Sequence, residues 1–555
     1  MNKLNFKKIN KLIFWIIGLI YLISLTFQFN DTDLYYILHT GNYLMDNIHN
    51  ETVFPNLFTP LSIVKNTCII QNWLYCIILA FINNYLHTFG LWIIQTIFLC
   101  LCVFVILKFL NFKHCKNKLV CFYISLFTLF VFQYTSLRPE MLTFILIMSE
   151  ILIIEKYRKT NNCKILWILP LLMLIEINCH ASYWIIHFIV LIPYLIKIPK
   201  KLQKNINVTI INNNIKLSQI KAMILPLILM TAVMFLNPYK TEAILYIYNA
   251  LISKATEVFP INELNSWSIN SIFGLIIIIS IISFLYIILK GKIKSSSLWM
   301  FIGFTILAIT KMKWIAFYSI GLLFLLRDIF IAYENKQRMF GRKNDTSYSI
   351  LSKILLIGLL ISLIFYIGLT TYQMYQEDMF SITNDNYMIN DNNDVFKSNG
   401  DFTKMKNYLK KHKNNAYIYG TFQEGNYFEY LGYETNLDAR PELYINTNIN
   451  NYKNKSIKSK IKTPPLYEAY ELYYYKKYNK LKKKSFDFFF NLKYNNYDDK
   501  NTILSAKEYS KMVDSIDTDY FVVDSICFLQ QYLETAADKY EYITGGDNYK
   551  LYKKL

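Results

Sequence analysis

Disulfide and structural-zinc chemistry are the first things this sequence lacks. Its nine cysteines are odd in number, scattered and partly inside apolar runs. They form neither a disulfide framework nor a CxxC metal pattern. A leader cleavage site is also missing. "MNKLNFKKINK" followed by "LIFWIIGLIYLISLTFQF" (12–29) begins like a secretory signal. Its apolar core is too long for one, however, and no small-residue site follows, so it reads as a retained first helix. The paired repeats and matched Gly/Pro-broken helices of a transporter are absent as well. Acidic residues are few against basic ones, 39 to 59, for a formal charge of +20. In a soluble protein that excess would point to nucleic acid. Here it accompanies long apolar runs and reads as the positive-inside bias of a membrane protein, with no nucleic-acid partner.

What is present is apolar sequence. Hydrophobic residues make up 54% of the chain and come in runs that recur to about residue 372. Basic clusters at Lys3–Lys11, Lys113–Lys118, Lys156–Lys164, Lys197–Lys221, Lys290–Lys294 and Arg327–Lys343 mark the cytoplasmic side. Helices threaded between them predict crossings near 12–29, 90–110, 119–136, 140–155, 164–179, 181–196, 220–236, 270–289, 296–310, 314–332 and 351–372. The expected fold is a polytopic α-helical membrane protein of about eleven transmembrane helices. The chain is expected in the cell membrane, with its N-terminus cytoplasmic and its C-terminal domain extracytoplasmic. "NWLYCIILAFINNYL" (72–86) would break the parity and is read as an interfacial or re-entrant helix. The expected division is a transmembrane domain over 1–372, with a first outer loop at 30–89, and an extracytoplasmic α/β domain over 373–555.

This topology gathers polar residues on the outer face. Asp31 and Asp33 start an amphipathic helix in "NDTDLYYILHTGNYLMDN". "SLRPEM" supplies Arg138 and Glu140, "INCHASYW" Asn178 and His180, "INELNSWS" Glu263, and "TKMKW" Lys311 and Lys313. Each also has a structural reading. The aspartates can cap a surface helix; Arg138-Pro139 can be a snorkelling cation and a helix start; His180 can be a satisfied buried histidine. Glu150 stands inside an apparent crossing, where a carboxylate is costly, and sequence alone names no partner for it. Beyond 373, "NAYIYGTF" (415–422) and "DYFVVD" (519–524) read as strands and "FTKMKNYLKKH" (402–412) as a helix. Arg440, in "DARPELY", is either part of a salt-bridged turn or a phosphate ligand.

"DTDLYYILHTGNYL" with "QNWL", then "LRPEMLTF", "INCHASYW", "LNPY", "INELNSWS", "KMKWIAFYSI" and "YGTFQEGNYFEYLGYETNLDARPELY" occur in that order. The set resembles a group of bacterial membrane proteins related to GT-C glycosyltransferases, the superfamily that includes protein O-mannosyltransferases and aminoarabinose transferases. Tyr35 and Tyr36 replace the group's usual tryptophans, and the glycines after His180 are missing. The resemblance implies an enzyme that transfers a sugar from a polyprenyl-linked phosphate donor to an envelope glycan, lipid or protein. Asp33, with Asp31 second, would be the base that takes the acceptor's proton. Arg138, Lys311 and Lys313 would hold the leaving phosphate, with His180, Glu263 and Arg440 binding substrate. The aspartate pair could also supply oxygen ligands to a divalent cation. The alternatives kept open are a non-catalytic relative that binds lipid or glycan, and a polysaccharide polymerase or ligase.

Overall fold

A computed structural model describes residues 3–26, 33–46, 70–115, 117–199, 209–252, 272–290, 292–334, 400–412, 416–420, 422–435, 510, 513–514, 516, 518–524, 528–546 and 548–555. They fall into two compact units. The first takes in described parts of 1–29, 89–244 and 261–384; the second takes in those of 30–88, 245–260 and 385–555.

In chain order the helices to residue 195 are α1 (Lys3–Leu25), α2 (Asp33–Asp46), α3 (Trp73–Phe109), α4 (Lys118–Phe132), α5 (Pro139–Thr160), α6 (Ile168–Cys179), α7 (Trp184–Ile189) and α8 (Ile192–Leu195). Strand β1 (Thr209–Ile211) precedes α9 (Leu217–Val233), α10 (Thr241–Ile252) and α11 (Ile272–Lys290). Strand β2 (Lys292–Lys294) leads into α12 (Ser295–Thr310) and α13 (Ile315–Glu334). The remainder comprises α14 (Gly400–His412), β3 (Tyr417–Tyr419), α15 (Phe422–Tyr430), β4 (Glu434–Thr435), β5 (Tyr520–Asp524), α16 (Phe528–Thr535), β6 (Tyr540–Gly545) and β7 (Tyr549–Lys554).

The expectation of about eleven membrane crossings is not met. Among the described residues one helix, Trp73–Phe109, is long and apolar enough to cross a membrane. Leu12–Leu25, Lys118–Phe132, Ala181–Leu195, Leu217–Val233, Phe273–Ile288 and Ser295–Thr310 are apolar but only 10–17 residues long. At 1.5 Å per residue, the longest of these reaches ~25 Å, short of a ~30 Å hydrocarbon core. The reasons are local. In α1 the lysines at 3, 7, 8 and 11 confine the apolar part to its second half. The 164–179 stretch opens with a 3-10 turn at Cys163–Trp167, and turns and Pro193 divide 181–196 into short pieces. α5 is 22 residues long but carries Glu140, Glu150 and Glu155. The segments read separately as 72–86 and 90–110 are one 37-residue helix, kinked at His87 (φ 52°, ψ −154°). The crossing expected at 351–372 lies outside the described residues.

In the first unit α12 and α13 form a tight antiparallel hairpin. A Cβ on Gly321 would lie 3.0 Å from the Met300 carbonyl oxygen and 3.1 Å from the Phe304 Cβ, so glycine is what lets these helices approach. A buried ionic cluster ties α5 to α8, β2 and α13. Glu155 accepts from Arg158 (2.8 Å), Arg327 (3.3 Å) and the Tyr194 hydroxyl (3.2 Å). Asp328 pairs with Lys294 at 3.2 Å. The Arg327 guanidinium also lies over the Phe109 ring, 4.1 Å from its centre.

The second unit contains a five-stranded mixed sheet in the order β4-β3-β5-β7-β6. β3 is parallel to β4 and β5, and β7 is antiparallel to β5 and β6. The strands read over 415–422 and 519–524 are present as β3 and β5, and the helix over 402–412 as α14. Val513, Ile516, Phe521, Val523, Leu533, Tyr540 and Tyr552 form its core. The division read at 372/373 differs in one respect: α2 and the first part of α3 group with the sheet. Tyr35 of α2 lies against Tyr427 and Tyr430 of α15, with ring centres 5.1 and 5.3 Å away. Asn83 Nδ2 donates to the Tyr430 hydroxyl at 3.4 Å. A Cβ on Gly41 would fall 2.1 Å from the Cys76 carbonyl oxygen, so α2 meets α3 backbone to backbone.

Candidate functional site

Four turns of the first unit meet at one end. Arg138, extended at φ −100° and ψ 150°, starts α5, with Pro139 at the first helical position and Glu140 in the first turn. α6 stops at His180, whose N–H still reaches the Glu176 carbonyl at 2.7 Å, and a 3-10 turn at Ala181–Tyr183 reverses the chain. α12 stops at Lys311, and the 3-10 turn Met312–Trp314 leads into α13. The turn between α9 and α10 joins them through side-chain amides. Asn237 Nδ2 donates to the Ile177 carbonyl at 2.6 Å, and Asn178 Nδ2 to the Leu236 carbonyl at 3.2 Å.

Tyr183 is the shared surface. Its ring centre lies 4.5 Å from that of His180, 4.8 Å from Phe317 and 5.8 Å from Trp314. The Lys313 ammonium sits 5.5 Å from it, a cation–π contact. Arg138 makes the same kind of contact with Tyr134, at 5.4 Å. Lys311 and Lys313 are half-buried, and among the described residues neither is ion-paired. Of the residues singled out in the sequence, Glu140, His180 and Lys313 are thus brought together, with Arg138 and Lys311 two residues from Glu140 and Lys313.

His180 is buried and its ring is fixed. Nδ1 lies 2.8 Å from the Thr143 hydroxyl, which lies 2.8 Å from Glu176 Oε1. Thr143 donates its one hydroxyl proton to Glu176, so it accepts from the ring and His180 Nδ1–H donates to Thr143. That leaves the Nε2 lone pair toward Glu140 Oε1, 3.9 Å away. Burial pushes the His180 pKa down to about 3; the Glu176 charge opposes this, and Lys313 adds to it. The imidazole is therefore neutral, and its contact with Glu140 is not an ion pair.

Behind this layer stands a second, fully buried one that the sequence did not disclose. His187 Nδ1 bonds Glu150 Oε2 at 2.5 Å, and Nε2 faces Glu176 Oε2 at 3.8 Å. His187 is the missing partner of Glu150. The available signal was a pair of ionisable residues in otherwise apolar stretches, "LIMSEILII" and "YWIIHFIV".

Asp33 belongs to the second unit, half-buried in the first turn of α2. The Tyr35 contacts with α15 bring together "DTDLYYILHTGNYL" and "YGTFQEGNYFEYLGY", two of the stretches that carry the sequence resemblance. Asp31, Glu263 and Arg440 lie outside the described residues. Among the described residues no three His, Cys, Asp or Glu side chains are placed to hold a metal ion. The chain matches no known protein family and no curated protein.

Proposed function

We propose that the chain is a membrane-bound glycosyltransferase. It takes a sugar from a polyprenyl-linked phosphate donor and passes it to an envelope glycan, lipid or protein. The observation that carries this reading is the meeting of Lys313 with His180, Tyr183 and Glu140 at one end of the helical unit, with Lys311 in the same turn. Two cations without carboxylate partners among the described residues, one of them over the Tyr183 ring, suit a phosphate with a lipid tail. As the sugar leaves, negative charge grows on that phosphate, and fixed cations stabilise it most in the transition state. Asp33, with Asp31, is assigned the acceptor's proton on the sequence resemblance alone. Membrane residence draws support from Trp73–Phe109 and from the exposed apolar residues of other helices, among them Leu12, Ile16, Leu19 and Ile23 of α1 and Leu275, Ile279 and Ile282 of α11.

The test uses the purified full chain in lipid nanodiscs with radiolabelled polyprenyl-phosphate hexose and pentose. Expected are saturable binding of the donor, weakened at least about tenfold in the Lys311→Ala/Lys313→Ala double variant, and turnover that Asp33→Asn abolishes without loss of binding. Binding without turnover in the wild type would favour the non-catalytic lipid- or glycan-binding reading. Binding unaffected by the lysine substitutions would remove the phosphate site altogether.

A further inference from the structure

Five ionisable side chains and one hydroxyl follow one another into the first unit. Glu140 on α5, at its open end, faces His180 Nε2 at 3.9 Å. His180 Nδ1 meets Thr143 Oγ1 at 2.8 Å, and Thr143 meets Glu176 Oε1 at 2.8 Å. Glu176 Oε2 faces His187 Nε2 at 3.8 Å, and His187 Nδ1 meets Glu150 Oε2 at 2.5 Å. α5 contributes Glu140, Thr143 and Glu150, so the row runs about 15 Å along that helix, at 1.5 Å per residue. Thr143, Glu176, His187 and Glu150 are completely shielded from solvent, and His180 and Glu140 nearly so.

Stability alone does not account for such a row, because apolar side chains of similar volume fill a core at less cost than buried carboxylates and imidazoles. The order of groups does account for it. Acid, imidazole, hydroxyl, acid, imidazole and acid alternate, and every link can both take and give a proton. We propose that Glu140, His180, Thr143, Glu176, His187 and Glu150 form a proton relay leading from the lysine-bearing end of the helical unit to its interior. The inference goes beyond the transferase reading, since the row needs neither sugar nor phosphate.

The transfer balances at each link. A proton on the Glu140 carboxyl passes to His180 Nε2 as the Nδ1 proton passes to Thr143 Oγ1, and the Thr143 hydroxyl proton passes to Glu176 Oε1. From the Glu176 carboxyl a proton passes to His187 Nε2, while the His187 Nδ1 proton passes to Glu150 Oε2. One N–H or O–H bond breaks and one forms at every link, with nothing oxidised or reduced, and the reverse passage restores each donor. The two 3.8–3.9 Å links close with roughly 1 Å of side-chain movement to hydrogen-bond range. Among the described residues Glu176 Oε2 and His187 Nε2, which face each other there, have no other hydrogen-bond partner. The charged and titratable groups facing His180 are Glu140 from α5, Glu176 from α6 and Lys313 from the turn before α13, with Tyr183 beside it. His180 disfavours the charged state, so it hands a proton on instead of storing it.

The experiment is a pH titration by 15N NMR of the full chain in nanodiscs, labelled at histidine. The chain has seven histidines, and His180→Gln and His187→Gln assign the two resonances. The variants are Glu176→Gln, Thr143→Val and Thr143→Ser, singly and with Glu176→Gln added to each Thr143 variant. Expected is a neutral His180 with its proton on Nδ1, and a His180 titration that Glu176→Gln moves by about one pH unit or more. In the Thr143→Val background that shift falls by more than half, while Thr143→Ser, which keeps the hydroxyl, preserves it. His180 found with its proton on Nε2, or a Glu176→Gln shift equally large with and without the hydroxyl, would overturn the relay. These readouts need no sugar donor, so an inactive protein with an intact relay, or an active one without it, separates this inference from the proposed function.

Discussion

The Glu150–His187 pair makes the sharpest claim about stability. In His187→Leu the imidazole is replaced by a side chain of similar volume that offers no hydrogen bond. Glu176 keeps its 2.8 Å bond to Thr143, so the loss falls on Glu150; among the described residues its Oε2 has only the 2.5 Å bond to His187 and its Oε1 has no partner. Removing one member of a buried pair typically costs about 3–5 kcal/mol, because the other is left desolvated and uncompensated. At about 2–4 °C per kcal/mol, the single variant should melt about 6–20 °C below wild type in nanodiscs, followed by intrinsic fluorescence. Adding Glu150→Leu removes the stranded carboxyl as well. Because apolar replacement of a whole buried pair is often neutral or stabilising, the double variant should recover most of the loss. If His187→Leu melted within a degree of wild type, or the double variant no higher than the single, the pair would not be what holds Glu150 inside.

Three further outcomes follow from other parts of the molecule. Gly41→Ala sets a methyl 2.1 Å from the Cys76 carbonyl and 2.6 Å from the Ala80 Cβ. It should force α2 off α3 and cost about 1–3 kcal/mol, read as a lowered Tm of the sheet-containing unit; an unchanged Tm would refute the contact. Burial raises the Asp514 carboxyl, but hydrogen bonds from Lys539 and Tyr540, each 2.7 Å, outweigh it and hold the pKa below the ordinary value. A carboxylate lowered by folding adds stability above its unfolded pKa of ~3.9 and loses it as pH falls through the folded value. Asp514→Asn should therefore reduce stability at neutral pH and flatten the loss below pH ~4, by under ~1 kcal/mol because the side chain is a third exposed. Arg327→Met leaves an apolar side chain beside Phe109 and Phe324 but removes the guanidinium stacked on both rings and strips Glu155 and Asp328 of a buried cation, and should lower Tm by more than Glu155→Gln/Arg327→Met together.

How much of this was legible depends on whether a feature is local. β3, β5 and α14 were readable because "YIY", "YFVVD" and "FTKMKNYLKKH" carry their own periodicity. "SLRPEM", "INCHASYW" and "TKMKW" were placed on one face only through a topology of about eleven crossings, which is not met; the contacts among Glu140, His180, Tyr183 and Lys313 arise from the packing of their turns. The number of spans was not readable. Apolar run length counts residues and cannot register that 181–196 breaks at turns, or that 72–109 continues as one kinked helix through "YLHTFG".

The relay shows the same limit from the other side. Each member looked ordinary or unexplained by itself: a buried histidine, a threonine in an apolar helix, a glutamate without a partner. Thr143 and Glu176 are 33 positions apart in sequence, and Glu150 and His187 are 37. No local pattern links such pairs, and only the packing of α5 against α6 and α7 sets their order. A histidine that is merely satisfied needs one hydrogen bond on each nitrogen. His180 instead has Nδ1 fixed by a hydroxyl that is itself fixed by a carboxylate, and Nε2 turned toward a second acid. Structural satisfaction would end at Thr143. The continuation through Glu176 to His187 and Glu150, with each successive group able to accept what the previous one releases, is what separates a conducting row from a plugged core.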